Sequence, residues 1–92
     1  MKLLSIKKST RGDKKWMAKF DDGTTTHFGA VGYGDYTTTG DKDKRSAYRS
    51  RHRKDLDTGD PTRAGFLSYY ILWGEHKDIK KNIADYKTKF KL

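Results

Sequence analysis

The stretch that decides the fold lies at residues 15–28 and reads KWMAKFDDGTTTHF. Trp16, Ala18 and Phe20 point one way while Lys15 and Lys19 point the other, which is the period of a β-strand with one apolar face. An Asp-Asp-Gly sequence at 21–23 follows, and its glycine tolerates the positive φ that a tight hairpin turn needs. A threonine-rich run then carries Phe28 beside Trp16 or Phe20. The pattern predicts a β-hairpin.

A further strand is predicted upstream of this hairpin. Residues 3–8 form a short apolar run in which Leu4 and Ile6 share one face. Residues 1–31 are therefore predicted to be a three-stranded antiparallel β-meander. Residues 32–40 come next and are predicted to be a loop, because four glycines fall within residues 29–40.

The remainder, residues 41–92, is predicted to form three helices packed on the sheet. The first is capped by Asp41 or Thr39, runs to about Asp55 and places Tyr48, His52 and Leu56 on a narrow inner stripe. The second opens at the Asp-Pro pair 60–61 and ends at Gly74. The third runs from about residue 76 to 90. Residues 1–92 thus form one small α+β domain, since 92 residues hold a single core.

Charge is the main functional signal in the composition. The chain has 21 Lys and Arg against 12 Asp and Glu, a net charge of +9. Such an excess concentrates polyanions around a protein, nucleic acid first and anionic membrane surfaces second. The plainer alternative is that the charge only keeps a small protein soluble.

Several classes of protein are disfavoured by the same composition. The chain has no cysteine, which excludes disulfides, thiolate zinc sites and a cysteine nucleophile. The longest apolar run, residues 69–73, is too short to span a bilayer, and the first residues lack the apolar core of a secretion signal. We therefore expect a soluble protein that is not secreted.

A cluster of cations in the first predicted helix is the strongest candidate site. Only Asp41 and Asp43 oppose it, and Arg45 and Arg49 lie four residues apart on one face. Arginine offers planar bidentate donors that suit phosphate oxygens. The alternative is an ordinary solvated helix face. The candidate nucleic-acid-binding cations are Lys42, Lys44, Arg45, Arg49, Arg51, Arg53 and Lys54.

Two tyrosines in the glycine-rich loop are a second candidate. Tyr33 and Tyr36 are flanked by glycines, so their rings could stack on bases. Alternatively, both fold back over the sheet and Asp35 merely caps a turn. The loop lacks the Gly-Lys-Ser/Thr ending of a phosphate-binding loop, so ATP or GTP binding is not supported.

Catalysis and metal binding find little support. His27, His52 and His76 lie in three different predicted elements, without a metal-binding spacing. We predict no metal, no cofactor and no enzymatic activity, a small nuclease being the weaker alternative. Tyr69 and Trp73 would form a protein-contact patch if both remained exposed.

A resemblance adds a setting to these predictions. Its motifs are Phe28-Gly29-Ala30-x-Gly32-Tyr33-x-Asp35-Tyr36-Thr37, Asp41-Lys42-x-Lys44-Arg45, Tyr48-x-x-Arg51-His52, Asp60-Pro61 and Ala64-Gly65-Phe66-Leu67-Ser68-x-Tyr70-x-Leu72-Trp73-Gly74. This combination resembles small uncharacterised basic proteins of nucleocytoplasmic large DNA viruses, which infect algae and amoebae. The resemblance implies a viral protein found in the virion or in the cytoplasm or nucleus of the infected cell.

Together these observations predict a nucleic-acid-binding protein. We expect binding of double-stranded DNA with little sequence specificity, in viral genome packaging or in the virion. The alternative is a minor capsid or other structural virion protein, in which the basic surface meets a neighbouring protein or an anionic surface.

Overall fold

The N-terminal third is a three-stranded antiparallel sheet, which confirms the predicted meander. The computed structural model describes residues 1–92, with strands β1 (Leu3–Lys8), β2 (Lys14–Phe20) and β3 (Thr25–Ala30) in the order β1-β2-β3. Trp16 pairs with Phe28 across β2 and β3. This register puts the alternating apolar residues of β2 on the face that the helices cover.

The register of β1 corrects one prediction. Leu4 does not share a face with Ile6: its side chain is 63% exposed, whereas Leu3 is 4% exposed. The pairing shifts between Leu3, opposite Phe20, and Ser5, opposite Lys19. Because this bulge adds one residue to β1, the alternation breaks and Leu3 lies on the core face with Ile6.

The C-terminal two thirds are helical, so the fold is α+β as predicted. Four α-helices are present where three were predicted, and a 3-10 helix and a π-helical segment connect them. Their bounds are α1 (Tyr36–Thr39), α2 (Lys42–His52), the 3-10 helix (Arg53–Thr58), α3 (Ala64–Leu67), the π-helical segment (Ser68–Leu72) and α4 (Ile79–Phe90). None of these helices is both long and apolar enough to cross a membrane.

The additional helix, α1, lies inside the predicted glycine-rich loop. Asp35 is its N-cap, and its carboxylate accepts a hydrogen bond from the Thr37 backbone N–H. The Thr38 hydroxyl accepts one from the Asp35 N–H in return. Gly40 ends the helix at φ 65°, a left-handed conformation that glycine adopts without strain. One short turn therefore forms where glycine frequency predicted none.

The helix predicted to open at Asp60 and Pro61 begins later, at Ala64. The Pro61 carbonyl accepts a hydrogen bond from the Tyr86 hydroxyl, and the Thr62 carbonyl accepts one from the Thr26 hydroxyl. These two carbonyls therefore accept hydrogen bonds from side chains of other elements and not from the backbone N–H groups of a helix. Asp60 accepts from Thr62 instead and closes a turn.

The start of α4 is also later than predicted, at Ile79 in place of about residue 76. Asn82, which is 2% exposed, accepts from the His76 N–H at 3.0 Å and donates to the His76 carbonyl at 2.7 Å. Asp78 then caps the helix by accepting from the Lys80 N–H. Because both backbone groups of His76 bond the Asn82 side chain, this residue stays outside the helix.

The core lies between the sheet and the helices. It consists of Leu3, Ala18, Phe20, Phe28, Phe66, Leu67, Ile71, Leu72 and Tyr86. Gly29 allows the sheet to approach the π-helical segment closely, since a Cβ there would lie 2.8 Å from Leu72 Cδ1. Helix α2 follows β3 in sequence, with α1 between them.

Candidate nucleic-acid interface

Helix α2 carries five of the predicted cations and has no fully buried residue, and Arg53 and Lys54 begin the 3-10 helix that follows it. Its N-cap is Asp41, whose carboxylate accepts from the backbone N–H groups of Asp43 and Lys44. The helix therefore starts at one of the two positions that the sequence indicated. The fold divides the seven candidate cations of α2 and the 3-10 helix into two groups with different surroundings.

Arg45 and Arg49 form the first group and point into the protein. Arg45 Nε donates to the Gly74 carbonyl at 2.6 Å. Arg49 Nη1 donates to the Trp73 carbonyl at 2.8 Å and to the Tyr69 carbonyl at 3.2 Å. Both side chains are half-buried and bonded within the protein, which differs from the freely exposed helix face that the sequence suggested for them.

The π-helical segment explains why Arg49 has a partner there. In an α-helix the Trp73 N–H would bond the Tyr69 carbonyl, but here it bonds the Ser68 carbonyl at 3.0 Å. The Tyr69 carbonyl is left for the guanidinium of Arg49, which also lies 4.1 Å from the Tyr69 ring centroid. The two arginines thus satisfy carbonyls at the C-terminal end of a helix, where positive charge is favourable.

The second group, which we call the cationic face, consists of exposed side chains. None of them lies within 4.0 Å of a carboxylate oxygen in an ion pair. The protein therefore leaves their charges to solvent or to a ligand. The cationic face comprises Lys42, Lys44, Arg51, Arg53 and Lys54.

The cationic face has two edges. At 3.6 residues per turn, Lys44 and Arg51 lie within roughly 20° of each other around the helix axis, as do Lys42 and Arg53. The two pairs are separated by about 160°. Positive charge therefore lines both sides of the solvent-facing half of the helix.

The two loop tyrosines are in opposite environments. Tyr36 is 7% exposed and packs under Arg45, whose guanidinium lies 5.6 Å from its ring centroid. The Tyr36 ring is therefore not exposed as the prediction of a ligand contact required. Tyr33 is 74% exposed and remains available. The alternative that both rings fold back does not hold for Tyr33.

Lys15 holds the backbone beneath Tyr33. Its ammonium donates to the Tyr33 carbonyl and, at 2.8 Å, to the Asp35 carboxylate. The Asp35 side chain is 4% exposed, so this is a largely buried ion pair. Because Asp35 also caps α1, the pair fixes the loop to β2 while the Tyr33 ring stays in solvent.

Tyr69 and Trp73 do not form the exposed patch that the sequence left open. Tyr69 is 7% exposed and lies beneath Arg49. Trp73 is half-buried and stacks on Tyr48 with ring centroids 4.4 Å apart, and Tyr48 in turn stacks on His52 at 4.1 Å. Burial raises the pKa of Tyr48, and a hydrogen bond with Ser68 opposes the rise in part. These rings fasten α2 to the rest of the fold.

A groove of about 720 Å³ lies between α2, the N-terminal end of β2 and the C-terminal end of β3. Four cations and two carboxylates line it, an excess of two positive charges. The stacked rings and Leu72 supply its apolar wall. Its charged lining residues are Lys14, Lys15, Lys44, Arg51, Asp35 and Asp55.

The three histidines have separate partners. His27 Nδ1 lies 2.7 Å from the Ser9 hydroxyl, His52 Nδ1 lies 3.0 Å from Asp55 and His76 Nε2 lies 3.0 Å from Asp85. No group of three or more His, Asp or Glu side chains converges as a metal site would require. His52 with Asp55 is the histidine pair that faces the groove.

Two groove cations were missed by the sequence analysis. Lys14 and Lys15 belong to β2 and lie about thirty residues before the cluster on α2, so their convergence with Lys44 comes from the tertiary structure. The run of two lysines at the start of the strand is a local signal, but it is common on strand edges.

Comparisons with known proteins identify a family without a described role. The model of DUF5754, a family of unknown function, matches residues 4–52, just over half of the chain. The match extends over the sheet, α1 and α2. No curated protein and no solved structure matches the chain.

Proposed function

Since the chain belongs to DUF5754, a family of unknown function, we propose its role from the geometry: it binds nucleic acid, double-stranded DNA foremost, without sequence specificity and without catalysis. The observation that carries the proposal is the cationic face. Its five side chains are exposed and have no ion-pair partner, and they lie on α2 and the start of the 3-10 helix that follows it, within a chain of net charge +9. The proposed setting is a viral genome or virion.

The arrangement of the cationic face suits a duplex. An α-helix with its side chains is about 10–12 Å across, and the major groove of DNA is about 12 Å wide. A helix lying along that groove has a phosphate backbone on each side. Lys44 and Arg51 on one edge, and Lys42 and Arg53 on the other, would meet the two backbones. Contacts to phosphate carry no sequence information, which is why we propose non-specific binding.

The structural alternative, docking to a neighbouring virion protein, lacks the exposed aromatic patch on which it depended. That hypothesis relied on an exposed pair of Tyr69 and Trp73, and these rings contact Arg49 and Tyr48 within the chain. The basic surface by itself fits a polyanion equally well whether it is DNA or an acidic protein. Nucleic acid is favoured because its charge is dense and regularly spaced.

The test is binding to a short labelled DNA duplex at several salt concentrations. If about five phosphates are neutralised, log K falls against log salt with a slope of about −4.5. The double variant Lys42→Ala/Arg53→Ala is expected to weaken binding and to reduce the slope by about two.

Lys2→Ala/Lys19→Ala is the matched control. Both lysines are exposed and unpaired, and they lie at the hairpin end of the sheet, so the control removes the same charge from another surface. Equal weakening by the two double variants would show that binding depends on the net charge of the protein and not on the cationic face. A binding constant that does not change with salt would refute the proposal.

A further inference from the structure

The groove beside α2 combines size, charge and an aromatic ring in one place. Its volume of about 720 Å³ is within the range of small-molecule sites. Lys15 is paired with Asp35, and Asp55 lies against His52, whereas three of its cations have no ion-pair partner. Those three are Lys14 on the sheet side and Lys44 and Arg51 on the helix side. They approach the groove from opposite walls.

Tyr33 stands at the same groove with its ring in solvent. It is the most exposed of the large apolar or aromatic side chains, at 74%. Glycines flank it at 32 and 34, yet its carbonyl is bonded by Lys15, and Asp35 is bonded to Lys15 and caps α1. The backbone is thus ordered before any ligand arrives. An exposed aromatic side chain on an ordered backbone loses less freedom when a ligand stacks on it.

From this juxtaposition we infer that the groove binds one unpaired nucleotide, whose base stacks on Tyr33 and whose phosphate is held by Lys14, Lys44 and Arg51. A base presents a flat π-face of the kind that stacks on tyrosine. A phosphate presents oxygens that lysine and arginine bind. No other component of the groove is both exposed and aromatic, so the base and the phosphate each have one location.

The inference differs from duplex binding in its ligand. Bases inside a duplex are stacked on one another, so their faces are not open to Tyr33. An ion such as pyrophosphate would contact the cations but would not stack on the ring of Tyr33. The inference rests on the proposed function only in that both take a nucleic-acid ligand. The two share Lys44 and Arg51, but Tyr33 and Lys14 belong to the groove site alone.

The experiment measures anisotropy of a labelled pentadeoxyadenylate with the full chain. Tyr33→Ala is expected to weaken binding about tenfold, the lower part of the range for one lost base stack. Tyr33→Phe keeps the ring and is expected to bind within about twofold of the unmodified protein. Lys44→Ala is expected to weaken binding about threefold, whereas Lys19→Ala, an exposed lysine at the hairpin end of the sheet, leaves it unchanged.

Competition identifies the source of the nucleotide. Unlabelled 5′-AMP that displaces the probe at concentrations similar to those of unlabelled pentadeoxyadenylate supports a free nucleotide as the ligand. Displacement that needs far more 5′-AMP than oligonucleotide supports a nucleotide within a single strand. Both results support the groove site, provided that Tyr33→Ala weakens the binding.

Other results overturn the inference. One is a Tyr33→Ala variant that binds the pentadeoxyadenylate as tightly as the unmodified protein. Another is pyrophosphate that competes as well as 5′-AMP, which would reduce the site to a phosphate site. If neither probe binds while the duplex still binds with a steep salt slope, the groove inference fails and the proposed function stands. If the duplex does not bind while the Tyr33-dependent site does, the proposed duplex function fails alone.

Discussion

Two groups of cations on α2 and the 3-10 helix that follows it are used in opposite ways. Arg45 and Arg49 donate hydrogen bonds to the carbonyls of Gly74, Tyr69 and Trp73, whereas the cationic face has no ion-pair partner in the protein. Both groups raise the net charge, and both appear in one unbroken run of sequence. Charge type therefore does not separate a binding residue from a structural one. The direction in which the helix presents the side chain does.

The lesson also applies to the design of variants. Replacing Arg45 and Arg49 would weaken ligand binding even if neither touched the ligand, because the fold beneath the cationic face would loosen. Loss of binding in such a variant is thus poor evidence for contact. Variants on the exposed edges avoid this ambiguity.

The largest expected effect is that of Arg49→Ala. The change removes two charge-assisted hydrogen bonds and the contact with the Tyr69 ring, and it leaves the Tyr69 and Trp73 carbonyls without their donor. We expect a loss of about 3 kcal/mol in the free energy of unfolding, measured by urea titration. Arg51→Ala is the control, with an expected change within about 0.5 kcal/mol. Equal losses in the two variants would remove the distinction between the groups.

Arg45→Ala is expected to have a smaller effect. Its one hydrogen bond, to the Gly74 carbonyl, is accompanied by a longer cation–π contact with Tyr36. A loss of about 1.5–2 kcal/mol follows from one hydrogen bond to a charged donor. Thermal unfolding compared with Lys44→Ala, one residue earlier and exposed, measures it. A melting temperature unchanged from that of Lys44→Ala would show that the Gly74 carbonyl needs no donor.

Unfolding at alkaline pH separates the contribution of the buried tyrosines to stability from that of Arg45 and Arg49. Arginine as a residue type keeps its charge up to about pH 12, above the range in which tyrosine ordinarily ionises. Burial raises the pKa of Tyr86 well above its ordinary value of 10.0, so the folded state favours the neutral phenol. This stabilisation is complete below about pH 10 and is lost above it, since the unfolded chain ionises first.

Tyr86→Phe tests this pH dependence. At neutral pH the variant loses the hydrogen bond to the Pro61 carbonyl, a cost of about 1 kcal/mol. Above pH 10 its stability is expected to fall less steeply than that of the unmodified protein. A residual slope remains, because burial also raises the pKa of Tyr48 and Tyr70. Identical slopes in denaturant titrations from pH 8 to 11 would contradict this account.

The smallest expected change in the free energy of unfolding is on the cationic face. There, substitution is expected to stabilise the protein, unlike the substitutions above. Arg51 and Lys54 are three residues apart, a spacing at which like charges on helical turns repel. Arg51→Gln/Lys54→Gln is expected to raise the free energy of unfolding by about 0.3 kcal/mol at low salt. The gain disappears at high salt, where the repulsion is already screened. A clear loss of stability at low salt would mean that these side chains hold the fold.

Much of the fold was predictable because it depends on local patterns. Alternation in β2 and the Asp-Asp-Gly turn determine the hairpin, and Asp41 marks the start of α2. The bulge at Leu4 was not predictable, since a run of apolar residues does not show which of them pairs. The starts of α3 and α4 also depend on distant partners, Tyr86 and Asn82.

The candidate site was predictable in part. The sequence indicated the helix and its cations, and the spacing of Arg45, Arg49 and His52 already matched an inward stripe with Leu56. The prediction nevertheless followed the charge of Arg45 and Arg49 and assigned both to the binding surface. The groove, by contrast, joins Lys14 and Lys44 across about thirty residues, and no local pattern carries that information.

By itself the sequence determined the α+β class, the antiparallel meander and a dense basic helix, because these follow from side-chain period, turn chemistry and charge. Only the tertiary structure decided which cations are free. The π-helical segment releases the Tyr69 carbonyl, and Arg49 is the donor near enough to satisfy it. A buried carbonyl requires a partner, so the fold takes two arginines for its own hydrogen bonds and leaves the cationic face to a ligand.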